Sequence, residues 1–296
     1  MSSTRRAYIS WVLVCLIWGT TYLAIRIALE TIPPLLMGAM RFIVAGAVLM
    51  AILAFRGVRF PDVRAWPSLG LLGLLMLGFG NGGVVWAEQT VPSGLTAVLV
   101  ATSPFWMVGI DTFLPRGERL TGRRVLGLVV GFCGILLLVW PEVRLGAGGG
   151  FLSGVLSAQL ACVGWALGSS YARRRGHGAA KDESVLVTAA FEMLFGGLCL
   201  FLAALATHET SRLTFSARSG GALAYLIIVG AIGGFTAYAY ALKYLPVATV
   251  SLYAYVNPVI AVMLGTLILK EPFSTRMAVA AAIVLGGMVL VKADNG

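Results

Sequence analysis

The side chains that could do chemistry in this sequence are few, and their types favour binding over bond-making. His177 and His208 stand in polar connecting stretches. The cysteines, Cys15, Cys133, Cys162 and Cys199, stand singly in apolar runs with no CxxC pairing. Such cysteines read as small packing residues, not disulfides or metal ligands. No His, Asp and Glu cluster has metal-ligand spacing, so neither metal nor cofactor is expected. What remains is a set of aromatic, hydroxyl and amide residues inside apolar segments. Trp18 and Tyr22 are four positions apart and share a helix face, as do Trp165 and Ser169, and Tyr253 and Asn257. Rings give apolar contact, while indole, hydroxyl and amide groups give hydrogen bonds. A lining of this kind suits a zwitterion or amide-like solute with an apolar side chain. Asn81, Ser103 and Tyr238 complete the candidate substrate-binding set. An aromatic belt at the lipid interface explains Trp66, Trp86 and Trp140 near segment ends, but not the deeper Trp18, Trp165 and Tyr253.

Pro104 and Pro258 fall near the centres of apolar segments. Proline lacks an N–H and crowds the carbonyl four residues back, here those of Val100 and Ala254. Freed carbonyls inside a membrane must be satisfied by protein or by a cavity. The two prolines are therefore expected to mark hinges, with a static kink as the alternative. The Ala254 carbonyl is expected to accept from a substrate ammonium. Arg41 and Glu192 are charges of opposite sign at equivalent positions within the second and seventh apolar segments. A charge at mid-membrane costs at least ~2.5 kcal/mol on insertion scales, so each should face inward or find a partner. Together they are a candidate charge pair, either linked to substrate and gating or structural. Glu88 and Asp111 lie near segment ends, within reach of water. Asn81, an amide among Gly78, Gly80, Gly82 and Gly83, either joins helices or faces a cavity. Gly127 and Gly131 form a GxxxG pattern that reads as packing within the chain.

These residues need membrane-spanning elements to position them. The chain has 296 residues, 59% hydrophobic and 11% charged, with a mean hydropathy of +0.91. A soluble domain carries about 25% charged residues, so a large soluble core is excluded. A spanning helix needs about 20 mostly apolar residues. Ten such stretches occur, at roughly 8–28, 33–55, 67–87, 92–114, 122–140, 150–172, 184–206, 219–240, 247–269 and 274–292. The first, behind Arg5 and Arg6, reads as a retained helix and not as a cleaved signal. The net charge of +10 resides in the connections, so it reports topology and not nucleic-acid binding. Alternate connections place 15 of the 22 Lys and Arg residues on one side and 6 on the other, with Arg41 inside a helix. The basic side should be cytoplasmic, with both termini inside.

The sequence also resembles itself. Ala87 and Ala241, Pro92 and Pro246, and Pro104 and Pro258 are each 154 positions apart. Glu118 and Glu271, Thr121 and Ser274, Arg123 and Arg276, and Gly134 and Gly287 are 153 apart. Arg41-Phe42 aligns with Glu192-Met193 at 151, and Trp18 approximately with Trp165. An ordered series at nearly constant spacing is the mark of duplication. The expected halves are residues 1–146 and 147–296. Five helices per copy is an odd number, so the second copy enters from the opposite side. Two inverted halves around a central cavity permit alternating access.

Two stretches carry a resemblance to a known family. They are Gly117-Glu118-Arg119-Leu120-Thr121 with Gly127, Gly131 and Gly134, and Tyr255-Val256-Asn257-Pro258 running into Leu269-Lys270-Glu271-Pro272. On these the sequence resembles the EamA family of the drug/metabolite transporter superfamily. Overall it is similar to the YddG-type amino-acid exporters within that family. The resemblance implies an all-α fold of ten transmembrane helices, with helices 1–4 and 6–9 around the cavity and helices 5 and 10 outside. The function expected is export of amino acids, aromatic or otherwise apolar, or of related small metabolites, across a bacterial inner membrane. The partners expected are a small-molecule substrate and the lipid bilayer, with the protein a monomer or a homodimer. Export of drugs or lipophilic cations is the alternative. The related small multidrug exporters use a first-helix carboxylate, and none precedes Glu30 here. Helix interiors lack the Lys and Arg clusters that phosphates need. A lipid-modifying membrane enzyme is the remote alternative, since it would need the polar clusters that the sequence lacks.

Overall fold

The computed structural model describes residues 3–113, 121–144, 150–176, 184–245, 247–250 and 252–292. Residues 116–120 (with Glu118), His177, Lys181 and Pro246 lie outside the described residues.

The described residues are all-helical, as backbone in lipid must be when it closes no barrel. Helix α1 is Ser3–Ala28, and α2 is Pro34–Phe55, with Pro34 in its first turn where no N–H is needed. Helix α3 covers Val63–Ala87 and contains a π-helical segment, Gly73–Asn81. Helix α4 comes in two pieces, Ser93–Val100 and Ser103–Phe113. Then follow α5, Gly122–Arg144, α6, Gly150–Gly176, and α7, Val185–Ala206. Helix α8 covers Ala217–Tyr244, opens on a Ser216–Ser219 capping box and contains the π-helical segment Leu226–Gly233. Helix α9 is again in two pieces, Val247–Val250 and Tyr253–Ile268, and α10 is Thr275–Lys292.

Among the described residues, α1 to α4 and α6 to α8 are long and apolar enough to cross a membrane. The apolar stretches of α9 and α10, Tyr253–Ile268 and Thr275–Leu290, are shorter. Outward faces carry large apolar side chains at helical spacing: Leu152, Leu156 and Leu160 on α6, and Val259, Met263 and Leu267 on α9. Such stripes would be costly in water and are suited to lipid. The protein is a multi-pass membrane protein.

Packing follows a repeated scheme. Helix α2 packs on α7 and α5 on α10. Helix α1 packs on α8 and α9, while α6 packs on α3 and α4. Glycines set the closest approaches. A Cβ on Gly46 would meet the Ala190 carbonyl and the Leu194 nitrogen at 3.0 Å, and one on Gly197 would meet the Ile43 nitrogen at 2.8 Å. As the residue number rises on α2 it falls on α7, so the two helices run antiparallel. A Cβ on Gly287 would lie 2.6 Å from the Gly127 carbonyl and 2.7 Å from the Gly131 nitrogen. The GxxxG pattern of α5 thus receives α10 of the same chain.

Candidate transport site

Two tryptophans hold equivalent positions in the two halves of the chain. Trp18 of α1 donates from Nε1 to the Gly230 carbonyl, 3.2 Å away in the π-helical segment of α8. Its ring meets Phe235 at 5.5 Å, Tyr238 at 5.2 Å and Tyr253 at 4.9 Å between centroids. A Cβ on Gly234 would overlap Trp18 Nε1. Trp165 of α6 faces α3 in the same way: a Cβ on Gly80 would come within 2.5 Å of Trp165 Nε1. Gly80 and Gly234 are 154 positions apart, the spacing of the prolines. Trp165 also packs against a buried cluster that includes Tyr22, Val84, Ala97 and Val100. π-Helical turns are rare and are often found at functional sites, and here each tryptophan rests on one.

The structure therefore gathers Trp18, Tyr238 and Tyr253 into one aromatic group, and places Tyr22 and Trp165 at a second, largely aliphatic cluster. Asn257 is buried and joins α9 to α1. With its amide nitrogen turned inward it donates to the carbonyls of Tyr253 and Cys15, both at 3.1 Å. Asn81 ends the π-helical segment of α3 half-buried, next to Gly80, and Ser169 is half-buried one turn beyond Trp165. Neither makes a side-chain hydrogen bond among the described residues. Ser103 donates to the Val100 carbonyl at 2.6 Å.

That last bond supplies the partner that the Val100 carbonyl was expected to need. The Val100 carbonyl is not free: besides Ser103 it has the Cys162 thiol at 3.7 Å. Helix α4 is interrupted at Ala101 and Thr102, so Pro104 opens the second piece and does not kink a continuous helix. Leu99 accepts from Thr102 Oγ1 at 2.6 Å and from Gln159 Nε2 at 3.3 Å. Gln159 Oε1 in turn accepts from Trp106 Nε1 at 2.9 Å and from Thr102 Oγ1 at 3.2 Å. In α9, Pro258 lies buried inside Tyr253–Ile268. The Val250 carbonyl, just before the second piece, accepts from Trp11 Nε1 at 3.2 Å. The partners Gln159, Trp106, Thr102 and Trp11 escaped the sequence reading. An amide or indole within an apolar run, as at Gln159 and Trp11, is the signal that could have found them.

The charged residues also depart from expectation. Arg41 and Glu192 are 4% and 8% exposed, but no ion pair joins them among the described residues. The antiparallel packing gives the reason. Gly38 meets Leu200, Gly46 meets Leu194 and Gly197 meets Ile43, so Arg41 is level with residue 197 or 198. At 1.5 Å per residue, Glu192 is about 8 Å away along the axis. Arg41 instead lies 4.8 Å from the centre of the Phe42 ring and in the field of Glu88. Glu192 lies in the field of Arg175. Glu88 does not reach water as expected from its place at a helix end; it is 0% exposed. The Arg26 guanidinium donates to its backbone carbonyl.

Three carboxylates tie the connections at this same end. Glu271 accepts from Ser93 N and Ser93 Oγ at 2.9 Å and from Gly94 N at 3.3 Å, capping α4. Glu209 accepts from Leu36 N at 2.9 Å in the first turn of α2. Glu30 pairs with Arg218 at 3.1 Å, both half-exposed. Among the described residues, no group of His, Cys, Asp and Glu could hold a metal ion. The pocket beside Pro258, lined by Val259, Val262, Met263 and Leu285 among others, is an apolar groove between α9 and α10 and lies apart from the tryptophans.

The chain is similar to known proteins over most of its length. The uncharacterized inner membrane transporter YedA of Escherichia coli (strain K12) is 35% identical over 281 residues, covering 93% of this chain and 87% of that protein. Protein PecM of Dickeya dadantii is 24% identical over 277 residues, covering 93% and 89%. A solved crystal structure superimposes with a TM-score of 0.63 at 24% identity and covers 97% of each chain, which supports the fold. The sequence profile of one family matches residues 5–140 and again residues 152–293. This chain, a transporter and not an enzyme, belongs to the EamA-like transporter family.

Proposed function

We propose that the protein is a secondary transporter that exports amino acids, aromatic or otherwise apolar, or related small metabolites from the cytoplasm by alternating access. In this reading residues 1–146 and 147–296 are inverted five-helix repeats. Both termini are cytoplasmic, the protein resides in a bacterial inner membrane, and the substrate passes between the two clusters. The family profile supports the duplication by matching twice. The antiparallel α2/α7 and α5/α10 contacts support the inversion, because each joins helices of equal rank.

The observation that carries the reading is the matched pair of tryptophan–glycine contacts, Trp18 on Gly234 and Trp165 on Gly80. Each sets an indole of one half against a widened helical turn of α3 or α8. The indoles lie near mid-membrane, where transporters built from inverted repeats bind their substrate. Rings and hydroxyls without a polar cluster suit a small solute with an apolar side chain. Trp18, Tyr22, Asn81, Ser103, Trp165, Ser169, Tyr238, Tyr253 and Asn257 form its lining, and Pro104 and Pro258 mark the moving helices.

The test is uptake by purified protein in liposomes, with a panel of labelled amino acids competed by unlabelled amino acids and by cationic dyes. Saturable uptake of apolar amino acids, altered in selectivity by Trp165→Phe or Tyr253→Phe, is the expected result. Uptake confined to cationic dyes would overturn the substrate class. Repeating the measurement with and without a pH gradient reads the coupling: equal rates mean facilitated diffusion or exchange.

A further inference from the structure

We propose that Arg41 and Glu88 form the head-group site for a zwitterionic substrate, the guanidinium taking the carboxylate and the Glu88 carboxylate taking the ammonium. The inference rests on the amino-acid reading above and goes further by assigning the charges that would recognise the substrate.

Both side chains are buried, at 4% and 0% exposure. Arg41 Nε and Nη1 and both Glu88 oxygens have no hydrogen-bond partner among the described residues. Each residue lies in the field of the other, yet no ion pair joins them. Buried charges are ordinarily paired or hydrogen-bonded, since an isolated one is costly. A closed gate built from this pair would bring the two into direct contact. Opposite charges held apart, each with open valences, instead fit a ligand that carries both signs.

Of the neighbouring charges, the Glu271 oxygens are taken by Ser93 and Gly94, and Arg26, whose charge also acts on Glu88, donates one N–H to the Glu88 backbone carbonyl. Arg41 and Glu88 also link the two clusters. A Cβ on Gly230 would stand 3.5 Å from Arg41 Nη2, and the Gly230 carbonyl holds Trp18. Tyr22 lies in the field of Glu88 and belongs to the cluster against which Trp165 packs. An amino acid with its head group on Arg41 and Glu88 would therefore lay its side chain against rings.

Counterflow of labelled L-phenylalanine in proteoliposomes tests this with three competitors. L-phenylalaninamide lacks the carboxylate, 3-phenylpropionate lacks the ammonium, and phenethylamine lacks the carboxylate altogether while keeping the amine. Each should compete at least ~10-fold more weakly than phenylalanine on the wild-type protein. Arg41→Gln should erase the preference over the amide and the amine, and Glu88→Gln the preference over phenylpropionate. Analogues that compete as well as phenylalanine overturn the proposal, as do variants that melt like wild type yet keep its ranking. If neither variant folds, the wild-type ranking decides alone. No phenylalanine counterflow by wild type removes the amino-acid reading and this site with it; counterflow with a flat ranking removes only the site.

Discussion

The interruptions of α4 and α9 fall in helices of equal rank, but at the 154-residue spacing of the prolines the α9 break comes four residues earlier than the α4 break, and the chain secures the two differently. At α4, the carbonyls of Leu99 and Val100 are met by Thr102 and Ser103 from within and by Gln159 and Cys162 from α6. Trp106 then fastens Gln159 from the far side of the break. At α9, Trp11 of α1 meets the single carbonyl of Val250, and Asn257 reaches back to Cys15. Duplication preserves the backbone requirement that an interrupted helix creates. It does not preserve the side chain that answers it. The α4 break is stitched across two helices by a connected network, and the α9 break by separate bonds. Among the described residues, which exclude Ser251 in the α9 break, the α9 side has fewer bonds to give up if the halves exchange conformations.

The matched glycines are the place to test whether the halves act alike, and the largest effects are expected there. Gly234→Ala puts a methyl group into Trp18, whose ring is already held by Phe235, Tyr238 and Tyr253. Gly80→Ala does the same to Trp165. Overpacking of this kind costs about 1–3 kcal/mol, read as a lower melting temperature in detergent. Transport should fall with it in both variants. Combining Gly80→Ala with Trp165→Leu should restore stability. A large loss at one glycine and none at the other would end the claim that the two contacts are equivalent.

The networks come next. Gln159→Leu leaves Trp106 Nε1 and part of Leu99 unpaired in a half-buried site, an expected cost of about 1 kcal/mol. Trp11→Phe removes a single bond at Val250, and about 0.5 kcal/mol is expected. Thermal unfolding of the two variants side by side checks the order. Equal losses would mean that the network at α4 is no stronger than the Trp11–Val250 bond at α9.

Much of this arrangement is legible in the sequence, because apolar length and repeat spacing are direct records of bilayer thickness and duplication. Helices fill the expected stretches, with ends displaced by a few residues: 63 against 67 for the start of α3, and 244 against 240 for the end of α8. The aromatic residues chosen for helical spacing and depth do converge, as Trp18 with Tyr238 and Tyr253 shows. What could not be read is which charges meet. Arg41 and Glu192 have equal rank in their helices, and antiparallel packing sets equal ranks at different levels. Glu88 looked like a residue at a water-facing end because sequence gives depth along a helix but not its rotation. The break in α4 was likewise hidden: Pro104 announces an irregularity, but whether proline kinks a helix or opens a new piece depends on partners such as Gln159, 55 positions later.

That last distinction yields the smallest expected effect and the sharpest contrast in sign. Pro104 sits at the start of a helical piece, where its ring fits and its missing N–H costs nothing. Replacing it by alanine only frees the unfolded chain, so Pro104→Ala should lower stability by about 0.5 kcal/mol. Pro258 is inside its helix. Pro258→Ala supplies an N–H for the Ala254 carbonyl, a net gain of about 1 kcal/mol that outweighs the entropic loss. The straightened helix should then move less readily, so the variant should melt higher and transport more slowly. Melting curves with initial uptake rates for both variants decide the matter. A shift of the same sign at both prolines would show that proline plays one role in both helices, and the contrast drawn from their places in the helical pieces would fall.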